Sequence, residues 1–310
     1  MRLEIGKEQE AELPPEVELL ASYWTIAGGA LPHTEREFSP FDFNDRVESA
    51  AKAGFKGIGL WHADLAHILE RRTLQEMKQI LDGNGMKHVE LEFLTDWFLN
   101  GERKKLSDQR KKLLMTAAEV LGARHIKVGD FARTPCPMPR LIEAFAALCR
   151  EAREHGTRIL FELMPFCMLD TLAAALELVA GAGATNGGIM FEPWHMAKMG
   201  ISNDELARVP SEYLLGAELD DGTREAPWSL HEDTINHRRL CGEGELDVKG
   251  FIAAVKAAGY SGPYGVEVLN QEMRAWPLEK LTTRAFTTAM AQFESQGRTA
   301  SKQQSRARKE

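Results

Sequence analysis

The chain has 310 residues, 44% of them hydrophobic and 27% charged, and a formal net charge of −8. That balance suits a soluble protein with a sizeable core and works against general nucleic-acid affinity, which draws on clustered Lys and Arg. No apolar run approaches the roughly 18 residues of a membrane span, and the N-terminus, MRLEIGKEQEAELPPE, is too polar for a signal peptide. Cys136, Cys149, Cys167 and Cys241 are scattered without a C-x-x-C pair, so they are expected to be buried, reduced thiols of a cytoplasmic protein.

Along the chain, a first strand is expected at 20–26. A unit then recurs: a helical segment, a glycine, one to three residues, and a short β-rich run. It appears in AAKAGFKGIGLW (50–61), LDGNGMKHVELEF (81–93), EVLGARHIKVG (119–129), EAREHGTRILFEL (151–163) and VKAAGYSGPYGVEVL (255–269). Gly54, Gly85, Gly122, Gly156 and Gly259 sit where a helix ends in a left-handed residue. GATNGGIMFE and SEYLLGAELDD complete the series, giving strands near 57–61, 88–93, 124–129, 158–162, 188–192, 214–219 and 264–268. The segments between them carry helical spacing, as in Val47, Ala50 and Ala51, or Leu141, Phe145 and Leu148. Strict β–α alternation predicts a parallel sheet, and eight units fit a closed (β/α)8 TIM barrel in one domain over 1–296. A doubly wound open sheet is the alternative, but no G-x-G-x-x-G follows the first strand. The basic, polar segment 297–310 is expected to be a disordered tail.

A barrel of this kind places its site at the C-terminal ends of the strands. Four consecutive strands finish there with a carboxylate: Glu162 in LFELMP, Glu192 in MFEPWH, Glu218 in GAELDDG and Glu267 in GVEVLN. One such glutamate is usually a salt-bridge partner or sits beside a helix cap. Four at one depth repel, and so raise one another's pKa or demand a cation; an oxygen-rich set suits Mg2+ or Mn2+.

Several blocks carry a resemblance: FNDRVESAAKAGFKGIGL, LFE, FEPWHMAK, RRLCGEGELD at 238–247 and GYSGPYGVEV. Over about residues 20–293 the chain resembles the sugar phosphate isomerase/epimerase superfamily with a xylose isomerase-like barrel. Cys241 stands where that family has the proline of R-x-x-P-G-x-G. In its ketose 3-epimerases one divalent metal is held by Glu, Asp, His and Glu, which implies Glu162, Glu192, Glu218 and Glu267 as ligands. Mn2+ or Mg2+ is the expected ion, with Co2+ or Zn2+ as alternatives. Glu192 is longer than the family's aspartate, and Glu218 replaces a histidine that some dehydratases replace with glutamine. A protonated Glu218 would imitate that glutamine, and Asp220 or Asp221 competes for its role.

The resemblance also implies substrate contacts at His195 and Arg224; the alternatives are a backbone-bonded histidine and an arginine paired with Asp220, Asp221 or Glu225. Trp24, Trp61 and His62, at the ends of the first two strands, either floor a sugar-like ring or pack the core. Lys127 and Glu92 are expected to face inward and neutralise each other, and Arg238 or Arg239 to reach the mouth. The implied activity is isomerisation or epimerisation of a sugar-like ketone through an enediolate, with Glu162 and Glu267, approaching from opposite faces, as the base and acid. The same enolate expelling a β-hydroxyl gives a dehydratase or lyase, of the 3-dehydroshikimate or 3-keto-glycoside type. A non-catalytic partner barrel is a further alternative, and pairing into a homo-oligomer is common for such barrels. An endonuclease on this fold would need several zincs and histidines at the strand ends, which this acidic chain lacks.

Overall fold

In a computed structural model, residues 17–293 are described. Eight parallel strands close into a barrel in chain order. They are β1 (Leu19–Ala21), β2 (Gly57–Trp61), β3 (His88–Leu94), β4 (His125–Val128), β5 (Arg158–Glu162), β6 (Gly187–Phe191), β7 (Leu214–Leu219) and β8 (Tyr264–Val266). Closure runs through Leu19↔Tyr264, Leu20↔Gly265 and Ala21↔Val266. Helices alternate with the strands and pack outside them. In the helix Phe43–Ala53 the buried face is Phe43, Arg46, Val47 and Ala50; in Met138–Glu154 it includes Leu141, Phe145 and Leu148. Gly54 closes the first of these helices at φ 115°, where a side chain would also run into the Phe286 ring. The other four glycines expected to end helices likewise have positive φ.

The first strand is shorter than the sequence predicts. It stops at Ala21, Ser22 caps a helical turn over Tyr23–Ile26, and Trp24 therefore lies on that turn. Thr25 replaces the missing ladder: its hydroxyl donates to the Val266 carbonyl at 2.7 Å and accepts from the Val268 N–H at 2.8 Å. Cys149, Cys167 and Cys241 are buried, whereas Cys136 is partly exposed; all four are free thiols. Among the described residues no helix is long and apolar enough to cross a membrane. The expected tail at 297–310 lies outside the described residues.

Side chains alternate in and out along each strand. The inward set of the upper barrel is charged rather than aliphatic: Glu90 and Glu92 on β3, Lys127 on β4, Glu162 on β5 and Glu218 on β7 are all buried. Glycines on neighbouring strands make the room. A Cβ at Gly265 would lie 2.6 Å from Glu218 Cγ, and one at Gly59 would lie 2.8 Å from Glu90 Oε1.

Candidate metal centre and active-site cavity

The C-terminal mouth of the barrel opens into a cavity of about 660 Å³. Its floor carries Glu92, Glu162, His195, Arg238 and Glu267, and its wall includes Trp24, Trp61, Phe93, Phe131 and Phe166. Each floor group is placed by the chain leaving a strand. Glu162 is the last residue of β5. Glu192 follows β6 in extended geometry at the head of the helix Pro193–Met199. Pro193 at N1 suits that start, and Glu192's carboxylate makes no capping bond, so it stays turned inward. Glu267 follows β8, held by its N–H to the Leu219 carbonyl at 3.1 Å.

One ligand oxygen from each of Glu162, Glu192, Glu218 and Glu267 lies within 4.8 Å of the other three. Burying so much like charge is costly unless it is neutralised. Two cations contribute. Lys127 Nζ, fully buried, donates to Glu218 Oε1 and Oε2 at 3.0 and 3.1 Å and to Glu267 Oε1 at 3.0 Å. It also lies 2.8 Å from Glu92 Oε2 and 3.9 Å from Glu162 Oε2. Arg238 Nη1 lies 2.6 Å from Glu192 Oε1, 3.1 Å from Asp220 Oδ2 and 3.6 Å from Glu267 Oε2.

Protonation follows this arrangement. Burial pushes Glu162, Glu218 and Asp220 well above the usual carboxylate range and Glu92 to about 8, against the pull of Lys127 on the three glutamates and of Arg238 on Asp220. Burial would raise Glu192 as well, but Arg238 and His195 hold it down at about 2. His195 is pushed below its ordinary value by burial. Its Nε2 lies 3.1 Å from Arg238 Nη2, a group that only donates. Neutral His195 therefore carries its proton on Nδ1, 3.0 Å from Glu192 Oε1 and 3.8 Å from Glu162 Oε1.

The donor set fits a hard divalent cation. It is all carboxylate oxygen, and both oxygens of the fully buried Glu192 lack a hydrogen-bond partner despite the nearby guanidinium. His195 suits a ligand role less well, because its proton occupies the nitrogen that faces the carboxylates.

The other candidates divide. Trp24 and Trp61 line the cavity with ring centroids 5.0 Å apart. His62 is not among the lining residues; it packs against Trp61 and accepts from the Phe93 N–H at 3.4 Å, and burial lowers its pKa to about 3. Arg224 is exposed and outside the lining, held through its backbone N–H to Glu245. The guanidinium in the site belongs to Arg238, while Arg239 is exposed and forms a backbone bridge with Asp221. Asp221 is committed to that turn, accepting from the N–H groups of Gly242, Gly244 and Leu246. Asp220 accepts from the Trp194 N–H and pairs with Arg238.

Comparison with known proteins bears on the family and the fold. The 3-dehydroshikimate dehydratase of Pseudomonas aeruginosa is 26% identical over 242 residues, covering 75% of this chain and 37% of its own length. The chain thus spans little more than a third of that relative. The inosose isomerase of Halalkalibacterium halodurans is 23% identical over 260 residues, 79% of this chain and 89% of the isomerase. The crystal structure of the IolI protein with a bound zinc atom superposes with a TM-score of 0.76 at 18% identity, covering 89% of this chain and 97% of that one. A D-allulose 3-epimerase from Methylomonas sp. in complex with D-allulose gives 0.68 at 16% identity, over 90% and 98%. Residues 47–288 match the family described as xylose isomerase-like TIM barrel, and the chain belongs to that family.

Proposed function

We propose that the protein is a divalent-metal-dependent isomerase or epimerase that abstracts a proton next to the carbonyl of a sugar-like ketone. The observation that carries this reading is the convergence of Glu162, Glu192 and Glu267, with one carboxylate oxygen of each within 4.8 Å of the others at the cavity floor. Glu162, Glu192 and Glu267 would hold the ion, with Glu218 the fourth carboxylate in reach. When bound, Mn2+ or Mg2+ would supply the positive charge that favours an enolate oxygen.

The chain's own residues do the rest. Glu267, paired with Lys127, takes the proton from the carbon beside the carbonyl, and Glu162, whose pKa burial raises, returns one from the other side. Arg238 orients substrate oxygens, His195 turns its Nδ1–H toward Glu192 and lines the cavity beside it, and Trp24 and Trp61 cover the face of a ring. Solvent deuterium should enter the substrate carbon when ketoses and inososes are incubated with Mn2+-saturated protein in D2O. No exchange with any of them would contradict this reading.

A second reading uses the same floor for elimination. The relative of P. aeruginosa is named as a dehydratase, and a carboxyl whose pKa burial raises, as it does for Glu162, suits protonation of a departing hydroxyl. New ultraviolet absorbance from a conjugated product would assign the protein to that class.

A further inference from the structure

The four clustered carboxylates are not equivalent, and Lys127 makes the difference. Glu218 has no free oxygen: Lys127 donates to both, and Ser22 Oγ adds a hydrogen bond to Oε1 at 2.7 Å. Glu267, which lines the cavity, gives only Oε1 to Lys127, while its Oε2 lies 3.6 Å from Arg238 Nη1. Glu162 has one remote contact with the ammonium, at 3.9 Å, and Glu192 is out of the lysine's bonds altogether, paired instead through Oε1 with Arg238 Nη1 at 2.6 Å. The three protons of the ammonium are matched by Glu92, Glu218 and Glu267, so the lysine has none left for another partner.

We propose that Lys127 is a resident counter-cation that withholds Glu218 from the metal, leaving a three-carboxylate face of Glu162, Glu192 and Glu267 to bind the ion. This rests on the metal-dependent reading above. An ion on that face meets carboxylates with at least one oxygen outside the lysine's bonds, whereas Glu218 has both oxygens bonded to Lys127 and one of them also to Ser22. Lys127 is thus a positioning residue. It acts on the ion only through the carboxylates it holds.

The test is Mn2+ binding to the purified protein, followed by calorimetry and by the Mn2+ electron paramagnetic resonance spectrum. Lys127→Met combined with Glu218→Gln leaves the net charge unchanged. That double variant should bind Mn2+ within about threefold of wild type, with the same spectrum, whereas Glu162→Gln should weaken binding by about a hundredfold or more. Lys127→Met alone frees Glu218 and should tighten binding by about tenfold, an increase that vanishes in the double variant. Loss of binding in the folded double variant comparable to that of Glu162→Gln would overturn the inference while leaving the metal site standing. Should either lysine variant fail to fold, Glu218→Gln decides. Weakening by less than about tenfold supports the proposal, and weakening to the level of Glu162→Gln refutes it. A wild-type protein that takes up no Mn2+ would instead refute the metal-dependent reading itself, and this inference with it.

Discussion

Glu92 faces Lys127 and the cavity at once, and its proton is worth following. In the folded protein it stays protonated to about pH 8, whereas an exposed glutamate in the unfolded chain ionises near 4.5. Between those values the folded state binds more protons, so this group's contribution is full below about 4.5 and is lost as the pH rises through about 8. Glu162, Glu218 and Asp220 are raised for the same reason and act in the same direction. Glu192, held at about 2, works oppositely: its contribution is full above 4.5 and is lost only as the pH falls through about 2. The thermal midpoint of chelator-treated protein should therefore decline from pH 5 to pH 8. Glu92→Gln should make that decline shallower. A flat or rising midpoint in wild type would contradict these protonation states.

Among the structural elements, the top of β1 depends on one hydroxyl. Thr25→Val would leave the Val268 N–H and the Val266 carbonyl without their partner where the first and last strands meet. The expected cost is about 1–3 kcal/mol, read as a lower urea midpoint at unchanged slope. Gly265→Ala would drive a methyl into Glu218 and should cost about 1–3 kcal/mol.

The strand ends were readable in the sequence because each of Glu162, Glu192, Glu218 and Glu267 closes a short β-rich run, and a barrel converts such positions into a ring. Helix ends were readable from Gly54 and its counterparts. The helical turn after Ala21 was not, because LLASYWTI suits an extended strand, and the turn depends on Thr25 reaching β8. Lys127 could be seen to face Glu92, but its contacts with Glu218 and Glu267 cross the barrel and depend on register. Its parity offered a hint, since HIKV places His125 and Lys127 on one side, as VELEF does Glu90 and Glu92. Arg224 and Arg238 both follow β7, and only the course of the intervening loop decides that Arg238 enters the cavity.

For the whole molecule, the main physical question is how a closed barrel tolerates an acidic interior. Lys127 and Arg238 neutralise part of it, and burial, by raising the pKa of Glu92, Glu162, Glu218 and Asp220, relieves another part. Removing Lys127 without removing Glu218 should therefore destabilise the metal-free protein by about 3–5 kcal/mol, as loss of one partner from a buried ion pair does. Saturating Mn2+ should restore part of that stability, measurable as a larger metal-induced rise in thermal midpoint than in wild type. Alanine at both Glu162 and Glu267 should abolish deuterium exchange and metal uptake while the circular dichroism spectrum stays that of the barrel. A non-catalytic partner barrel would keep its function after that change.

The central claim is that the carboxylate floor is a metal centre, and anomalous diffraction from crystals soaked in Mn2+ tests it most directly. One strong peak is expected at the cavity floor, roughly 2.0–2.6 Å from oxygens of Glu162, Glu192 and Glu267, with Lys127 still bonded to Glu218. A soaked crystal with no peak among these carboxylates would contradict it.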